Sequence, residues 1–296
     1  DYKQMRNVHK GIKMEFYDAG HIPGSASILL ELEGKRLLYT GDINNRDTRL
    51  LKGAVVPKAD ILVTETTYGN RIHPNRRDSE KALIASIEET VDSGGIALLP
   101  VFSVGRSQEI LLVLQDLEIP IYLDGLAKLA SKIIVSNGKY VKNAQELQKA
   151  VNHSIWIEHN NQRKDACKEP CIILTTAGML NGGPVIQYMR MLAEDKKNSI
   201  LLTGYQVEGT NGRLLLEKGH VIDPETQKKI IAKALIRQFD FSAHADQEGL
   251  LEIARKTSPE EVILVHGSPE ATQALKQKME DEYKVHTPKL NETIEI

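Results

Sequence analysis

The sequence predicts an α/β protein with a β-rich layer, then a parallel α/β domain, then a last segment in which strand and helix patterns alternate again. Three observations carry that expectation. Apolar runs of strand length crowd the first 65 residues, two of them around the turn Glu33-Gly34. From about Asp78 onward, short apolar runs alternate with stretches of helical periodicity. After Leu235 the alternation of strand and helix patterns continues to the C-terminal end.

Met14–Tyr17 is short and partly alternating, and Ser27–Leu32 with Arg36–Thr40 reads as a hairpin. Ala59–Thr64 is a further apolar run between Pro57 and Gly69. Ala82, Leu83, Ile87 and Val91 fall on one helical face, so Ser79–Val91 is a predicted helix, stopped by Gly94-Gly95. Strands are then predicted at Ile96–Pro100, Ile119–Leu123, Cys171–Thr175 and Ser199–Thr203. Helices are predicted at Arg106–Leu117, Ala127–Tyr140 and Pro184–Leu192. The last segment gives strands at Leu235–Phe239 and Glu261–Val265, and helices at Ala245–Lys256 and Glu270–Tyr283. Gly69–Arg77 and Val141–Asp165 are polar and weakly periodic, and read as loops.

Charge narrows the function. Among 296 residues, Lys+Arg is 38 and Asp+Glu is 40, a net charge of −2. That excludes a protein holding nucleic acid mainly through global positive charge, but not a local basic groove or a metal-centred site. Charges interrupt every apolar stretch before the roughly 20 residues of a membrane span, so no membrane partner is expected. The two cysteines, Cys167 and Cys171, suit a cytoplasmic protein better than a secreted disulfide framework.

Five segments place a His or carboxylate beside small residues at the end of an apolar run. They are Asp18-Ala19-Gly20-His21, Tyr39-Thr40-Gly41-Asp42, Glu65-Thr66-Thr67-Tyr68-Gly69, Phe241-Ser242-Ala243-His244-Ala245-Asp246 and Val265-His266-Gly267. Open α/β folds bind ligands at the carboxyl ends of strands. A single such histidine is more often a structural hydrogen-bonding residue, Asp42 alone could be a turn residue, and Glu65 alone a solvated carboxylate. Five together point to a metallohydrolase, because His and carboxylate suit zinc and one Asp can bridge two metals through its two oxygens.

These segments resemble known motifs. Gly20-His21-Ile22-Pro23-Gly24-Ser25-Ala26 and Tyr39-Thr40-Gly41-Asp42 are similar to the third and fourth metal motifs of the metallo-β-lactamase fold. The segments at Glu65, His244 and His266 resemble the A, B and C motifs of its β-CASP branch. Pro100–Glu109, Thr175–Leu180 with Gly182-Gly183-Pro184, and Thr203–Gln206 with Glu208-Gly209-Thr210 resemble further signatures of archaeal homologues of the cleavage and polyadenylation specificity factor nuclease. The resemblance covers nearly the whole chain, in the family's order.

It implies a metallo-β-lactamase αββα domain, here incomplete, with an inserted parallel α/β β-CASP domain. The expected division is 1–69 and 236–296 for the former and 70–235 for the latter. It implies hydrolysis of RNA phosphodiesters with two zinc ions, in RNA 3′-end processing or decay. By matching motif, His21 would ligate one zinc, Asp42 bridge both and His266 ligate the second. His244 would donate a proton to the leaving oxygen or hold the phosphate, and Glu65 would orient His244. His266 at the C motif favours RNA over DNA. Ser103 and Arg106 at one helix start, and Arg213 at another, are candidate contacts to RNA phosphate; Arg106 could alternatively pair with a carboxylate. The tail Pro288–Ile296 resembles the segment through which archaeal relatives form homodimers.

The family's first metal motif, His-x-His-x-Asp-His, does not occur. None of the nine histidines lies two positions from another. The expectation is therefore a fragment of a longer nuclease, with weak zinc binding and poor cleavage by itself, and with exposed apolar surface where further strands would pack. The alternative is a non-catalytic RNA-binding or assembly paralogue. A small-molecule metallohydrolase fits less well, because a small substrate needs neither the α/β insert nor the A to C motifs.

Overall fold

A computed structural model describes residues 1–295, and the chain divides into two compact units: 1–73 together with 243 onward, and 74–242.

The first unit opens with β1 (Arg6–His9), β2 (Ile12–Asp18), β3 (Ala26–Leu32), β4 (Lys35–Tyr39) and β5 (Ile61–Glu65). The second unit follows as α1 (Arg76–Asp92), β6 (Ala97–Pro100), α2 (Arg106–Leu114), β7 (Ile121–Asp124), α3 (Ala127–Ser136), α4 (Ala144–His153), β8 (Ile155–Trp156), α5 (Asn160–Ala166), β9 (Ile172–Thr175), α6 (Pro184–Leu192), β10 (Ser199–Leu202), α7 (Asn211–Lys218), β11 (His220–Ile222), β12 (Lys229–Ile231) and β13 (Leu235–Gln238). The chain returns to the first unit with α8 (Gln247–Thr257), β14 (Glu261–Val265), α9 (Pro269–Met279) and β15 (Lys284–His286).

The first unit carries one sheet in the order β1-β2-β3-β4-β5-β14-β15. The strands from β1 to β4 pair antiparallel, and β4, β5, β14 and β15 are parallel. Two antiparallel steps bring β2 back to the direction of β4, so β2, β4, β5 and β14 all end at one edge. That edge carries the segments singled out from the sequence.

Period-two alternation gives the sheet two faces. One buries Leu29, Leu38, Leu62, Val262 and Leu264 against Leu250, Ile253, Leu275 and Met279 of α8 and α9. The other is apolar too: Met14, Leu30, Leu37 and Ile61 form one cross-strand row, and Phe16, Ile28, Tyr39, Val63 and Ile263 the next. The first row is half-buried throughout, as is the second except for Tyr39, which is exposed. Both faces being apolar explains why β3 reads as a nearly unbroken hydrophobic run.

The second unit carries an all-parallel sheet, β13-β10-β6-β9-β7-β8. Parallel strands need crossovers, which supply the helices. Val185, Ile186, Tyr188, Met189 and Leu192 of α6 pack on Leu98, Ile173, Ile200 and Leu202 of the sheet.

Several sequence expectations need correction. Val141–Asp165 is not a loop: it holds α4, β8 and α5. In α4 the buried Leu147, Ala150 and Val151 do fall at helical spacing, a short period that the reading as a loop overlooked; in α5 only Ala166 is buried, too little to produce one. Asn143 caps α4, its side chain accepting from the Gln145 and Glu146 amides. The helix expected over Ala127–Tyr140 ends at Ser136 and gives way to a 3-10 turn at Gly138–Tyr140. The helices expected to reach Leu117 and Tyr283 stop at Leu114 and Met279. No described helix is long and apolar enough to cross a membrane.

Candidate metal and catalytic centre

The strand edge of the first unit gathers His21, Asp42, Glu65, His244 and His266. His21 follows β2, Asp42 follows β4, Glu65 ends β5, His266 follows β14 and His244 precedes α8. Tight backbone packing lets these short loops converge. Gly20 has φ +66°, and a Cβ there would sit 2.5 Å from the Asn44 carbonyl oxygen. His266 itself has φ +51°, which costs a non-glycine residue about 1 kcal/mol.

Asp42 stands between two imidazoles. One carboxylate oxygen is 3.7 Å from His21 Nε2 and the other 3.3 Å from His266 Nδ1. The His21 Nδ1–H donates to the Ala243 carbonyl at 3.0 Å, a partner that fixes the ring and turns Nε2 toward Asp42 as an atom that could ligate a metal. Burial pushes the His21 pKa down, as does the nearby His244, against the pull of Ala243, Asp42 and Glu65; a depressed value favours the neutral, ligating imidazole.

Glu65 and His244 form the second arrangement. The His244 Nδ1–H reaches both Glu65 oxygens, at 2.8 and 2.9 Å, and the Ile43 amide donates to Glu65 at 2.8 Å. A carboxylate only accepts, so the His244 proton on this side sits on Nδ1. Burial alone would raise the Glu65 pKa, but hydrogen bonds from His244, Thr67 and Ile43 outweigh it, and the net shift is downward. Glu65 is 2% exposed and stays a carboxylate.

Two groups of potential metal-ligating atoms lie within 4.8 Å of one another: His21, Asp42 and His244, and Asp42, Glu65 and His266. The donors fit zinc in kind, and Asp42, with each oxygen toward a different imidazole, fits a bridging carboxylate. Glu65 spends both oxygens on the His244 Nδ1–H, and even with His244 Nε2 counted beside His21, Asp42 and His266 the donors are fewer than tetrahedral coordination of two ions requires.

One supporting residue escaped the sequence analysis. His73 donates from Nε2 to the His244 carbonyl at 3.2 Å, and its amide donates to Asp246 at 3.0 Å. Asp246 also takes Arg46 at 3.0 Å and the Gly249 amide at 2.9 Å, capping α8. Gln247 completes the lacing through the Arg71 carbonyl at 3.0 Å and the Gly69 carbonyl at 2.6 Å. Thus the loops behind Glu65 and around His244 hold one another. His73 lies in a polar stretch with no period, and no local signal marks it.

The other three candidates belong to the second unit. Ser103 follows β6. Arg106, at the start of α2, donates to the Thr203 carbonyl. The α2 entrance is already occupied: Gln108 accepts from the Gly105 amide at 2.8 Å, and the Ser107 amide donates to the Phe102 carbonyl at 3.1 Å. Arg213 pairs with Glu217 one turn on, at 2.6 Å.

The chain is similar to known proteins in both sequence and fold. Residues 107–215 match the Beta-Casp domain, and 229–288 the Zn-dependent metallo-hydrolase RNA specificity domain. The chain is 42% identical to "Probable RNase MJ4" of Methanocaldococcus jannaschii, over 98% of this chain and 70% of that protein. It is 38% identical to "RNase aCSPSF2" of Saccharolobus solfataricus, over 96% of this chain and 59% of the relative. It is 33% identical to "Cleavage and polyadenylation specificity factor 73" of Drosophila melanogaster, over 96% and 43%. A crystal structure of a protein of unknown function from Enterococcus faecalis shares the fold, with a TM-score of 0.59 at 14% identity, over 98% of this chain and 65% of that one.

Proposed function

Because the chain belongs to the β-CASP metallo-hydrolase family of archaeal ribonucleases and cleavage and polyadenylation specificity factor relatives, we propose that it is the greater part of a zinc-dependent ribonuclease. Its reaction is hydrolysis of RNA phosphodiester bonds in 3′-end processing or decay, in the cytoplasm. The single observation that carries this is the pairing of a two-sided Asp42 with a separate Glu65–His244 couple at the same strand edge.

His21 and His266 would hold one zinc each, with Asp42 shared between them. Bound zinc supplies a polarised phosphoryl oxygen and an acidified water. The chain's own residues do the rest. Glu65 fixes the His244 ring and balances its charge when doubly protonated, and Nε2 delivers the proton to the leaving oxygen. The exposed His266 faces the solvent side, where an RNA strand enters. Arg106 and Arg213 remain candidate phosphate contacts; Arg213 would exchange Glu217 for phosphate. The tail from Pro288 is the proposed homodimer segment; Leu290 in it is 94% exposed, and its last residue, Ile296, lies outside the described residues.

With two imidazoles and one carboxylate, the 296-residue chain by itself binds zinc weakly. Zinc titration by calorimetry tests this: affinity weaker than micromolar is expected, and Asp42→Asn abolishes what remains. Stoichiometric sub-micromolar binding would contradict the assignment of ligands.

A further inference from the structure

The second unit contains a cavity that the metal centre does not use. It lies off the carboxyl ends of β6, β9 and β7, encloses about 460 Å³, and is bounded by Phe102, Ser103, Leu126, Arg163, Gly182 and Pro184 among others. That size is typical of small-molecule sites.

Its position follows from topology. β6 and β9 are neighbours, but the chain leaves β6 through α2 toward β7 and leaves β9 through α6 toward β10, on the opposite side. Right-handed crossovers place those two helices on opposite faces. Loops diverging from adjacent strands open a crevice at the strand ends, where open parallel sheets bind ligands.

The lining decides what fits. Arg163 is the cation at the wall, but it is matched by Asp124, with Nε at 2.6 Å and Nη2 at 3.2 Å from its oxygens. The α6 entrance is also committed: Pro184 has no N–H, the Val185 amide donates to the Thr176 carbonyl at 3.1 Å, and the Ile186 amide to the Gly183 carbonyl at 3.2 Å. An anion would find neither an uncompensated charge nor an open helix turn. What the walls offer is apolar surface: Phe102 is 41% exposed and Leu126 is 66% exposed. Polar capacity comes from the Ser103 hydroxyl and the Gly182 amide of the lining, which make no hydrogen bond among the described residues. A flat, uncharged heterocycle with hydrogen-bonding edges satisfies this combination: one face on Phe102, one edge toward Ser103 and Gly182.

We propose that this cavity is a nucleobase pocket, seating one unstacked base of the RNA at the switch point of the parallel sheet. The inference rests on RNA being the substrate, and it adds a base-reading site in the second unit.

The test uses the chain labelled with 15N-glycine and titrated with nucleosides, nucleoside 5′-monophosphates, ribose 5-phosphate and inorganic phosphate. Nucleosides and their monophosphates are expected to shift the Gly182 and Gly183 amides saturably, and ribose 5-phosphate and phosphate to leave them in place. A Cβ at Gly182 meets nothing within 4 Å and the backbone there is ordinary, so Gly182→Trp adds bulk at the cavity wall without strain. It should weaken nucleoside binding at least tenfold, and Phe102→Ala should weaken it on the order of tenfold by removing the stacking face. No shift with any nucleoside, equal shifts with ribose 5-phosphate or phosphate, or unchanged affinity in Gly182→Trp would each overturn the pocket. None of these readouts requires cleavage, so the nuclease reading stands or falls separately, on His244.

Discussion

Replacing Glu65 by Ala perturbs the centre most informatively. The carboxylate is 2% exposed, accepts the Ile43 amide at 2.8 Å, and receives the His244 Nδ1–H at 2.8 and 2.9 Å. Truncation strands a buried amide, at about 1–3 kcal/mol, and removes a charge-assisted bond worth about 1.5–3 kcal/mol. Water can partly replace the partner of His244, so the net loss should be about 3 kcal/mol. Glu65→Gln keeps an acceptor for Ile43 and loses only the charge, at about 1–2 kcal/mol. Urea denaturation of the two variants reads these differences directly. If Glu65→Ala lies within about 0.5 kcal/mol of the parent chain, well below the cost of an orphaned buried amide, the carboxylate is not seated as described.

Other consequences are separately measurable. Burial pushes the Cys167 thiol up to about 11 and the Cys171 thiol, beside it, up to about 12. Both should alkylate at pH 8 more than about 100-fold more slowly than free cysteine, whose pKa is near 8.5. Glu261 receives His286 at 2.7 Å and Lys284 at 3.1 Å, which hold its carboxyl below the usual range. Its folded pKa lies below its unfolded one, so the native state binds fewer protons. The resulting stabilisation is full above the ordinary carboxylate pKa and fades as pH falls through the folded value. Glu261→Gln should flatten that part of the pH–stability curve. Finally, the open apolar sheet face should drive self-association, visible as mass rising with concentration in light scattering, and Leu37→Lys should suppress it.

The sequence showed the strand ends better than the connections between them. The segments at His21, Asp42, Glu65, His244 and His266 were visible because each closes an apolar run beside small residues, a local signal. Parallel pairing of β4, β5 and β14 is non-local, yet it gathers these segments into one centre. In the α4–β8–α5 region the signal of α4 was present, in Leu147, Ala150 and Val151 behind the Asn143 cap, but it spans little more than one turn amid polar residues, and α5 buries only Ala166. Strands of two to four residues, such as β8, β11 and β15, are fixed by neighbours rather than by their own composition. His73 acts on His244 through a backbone carbonyl, so nothing in its own neighbourhood announces it.

The account turns on His244 being a proton donor held by Glu65, and His21, Asp42 and His266 being the ligands. The direct measurement is zinc content alongside single-turnover RNA cleavage in the full-length natural protein carrying His244→Ala. Cleavage should be lost while zinc stays at the parent level. Zinc falling in step with cleavage would show that His244 is a ligand and that the division of roles is wrong.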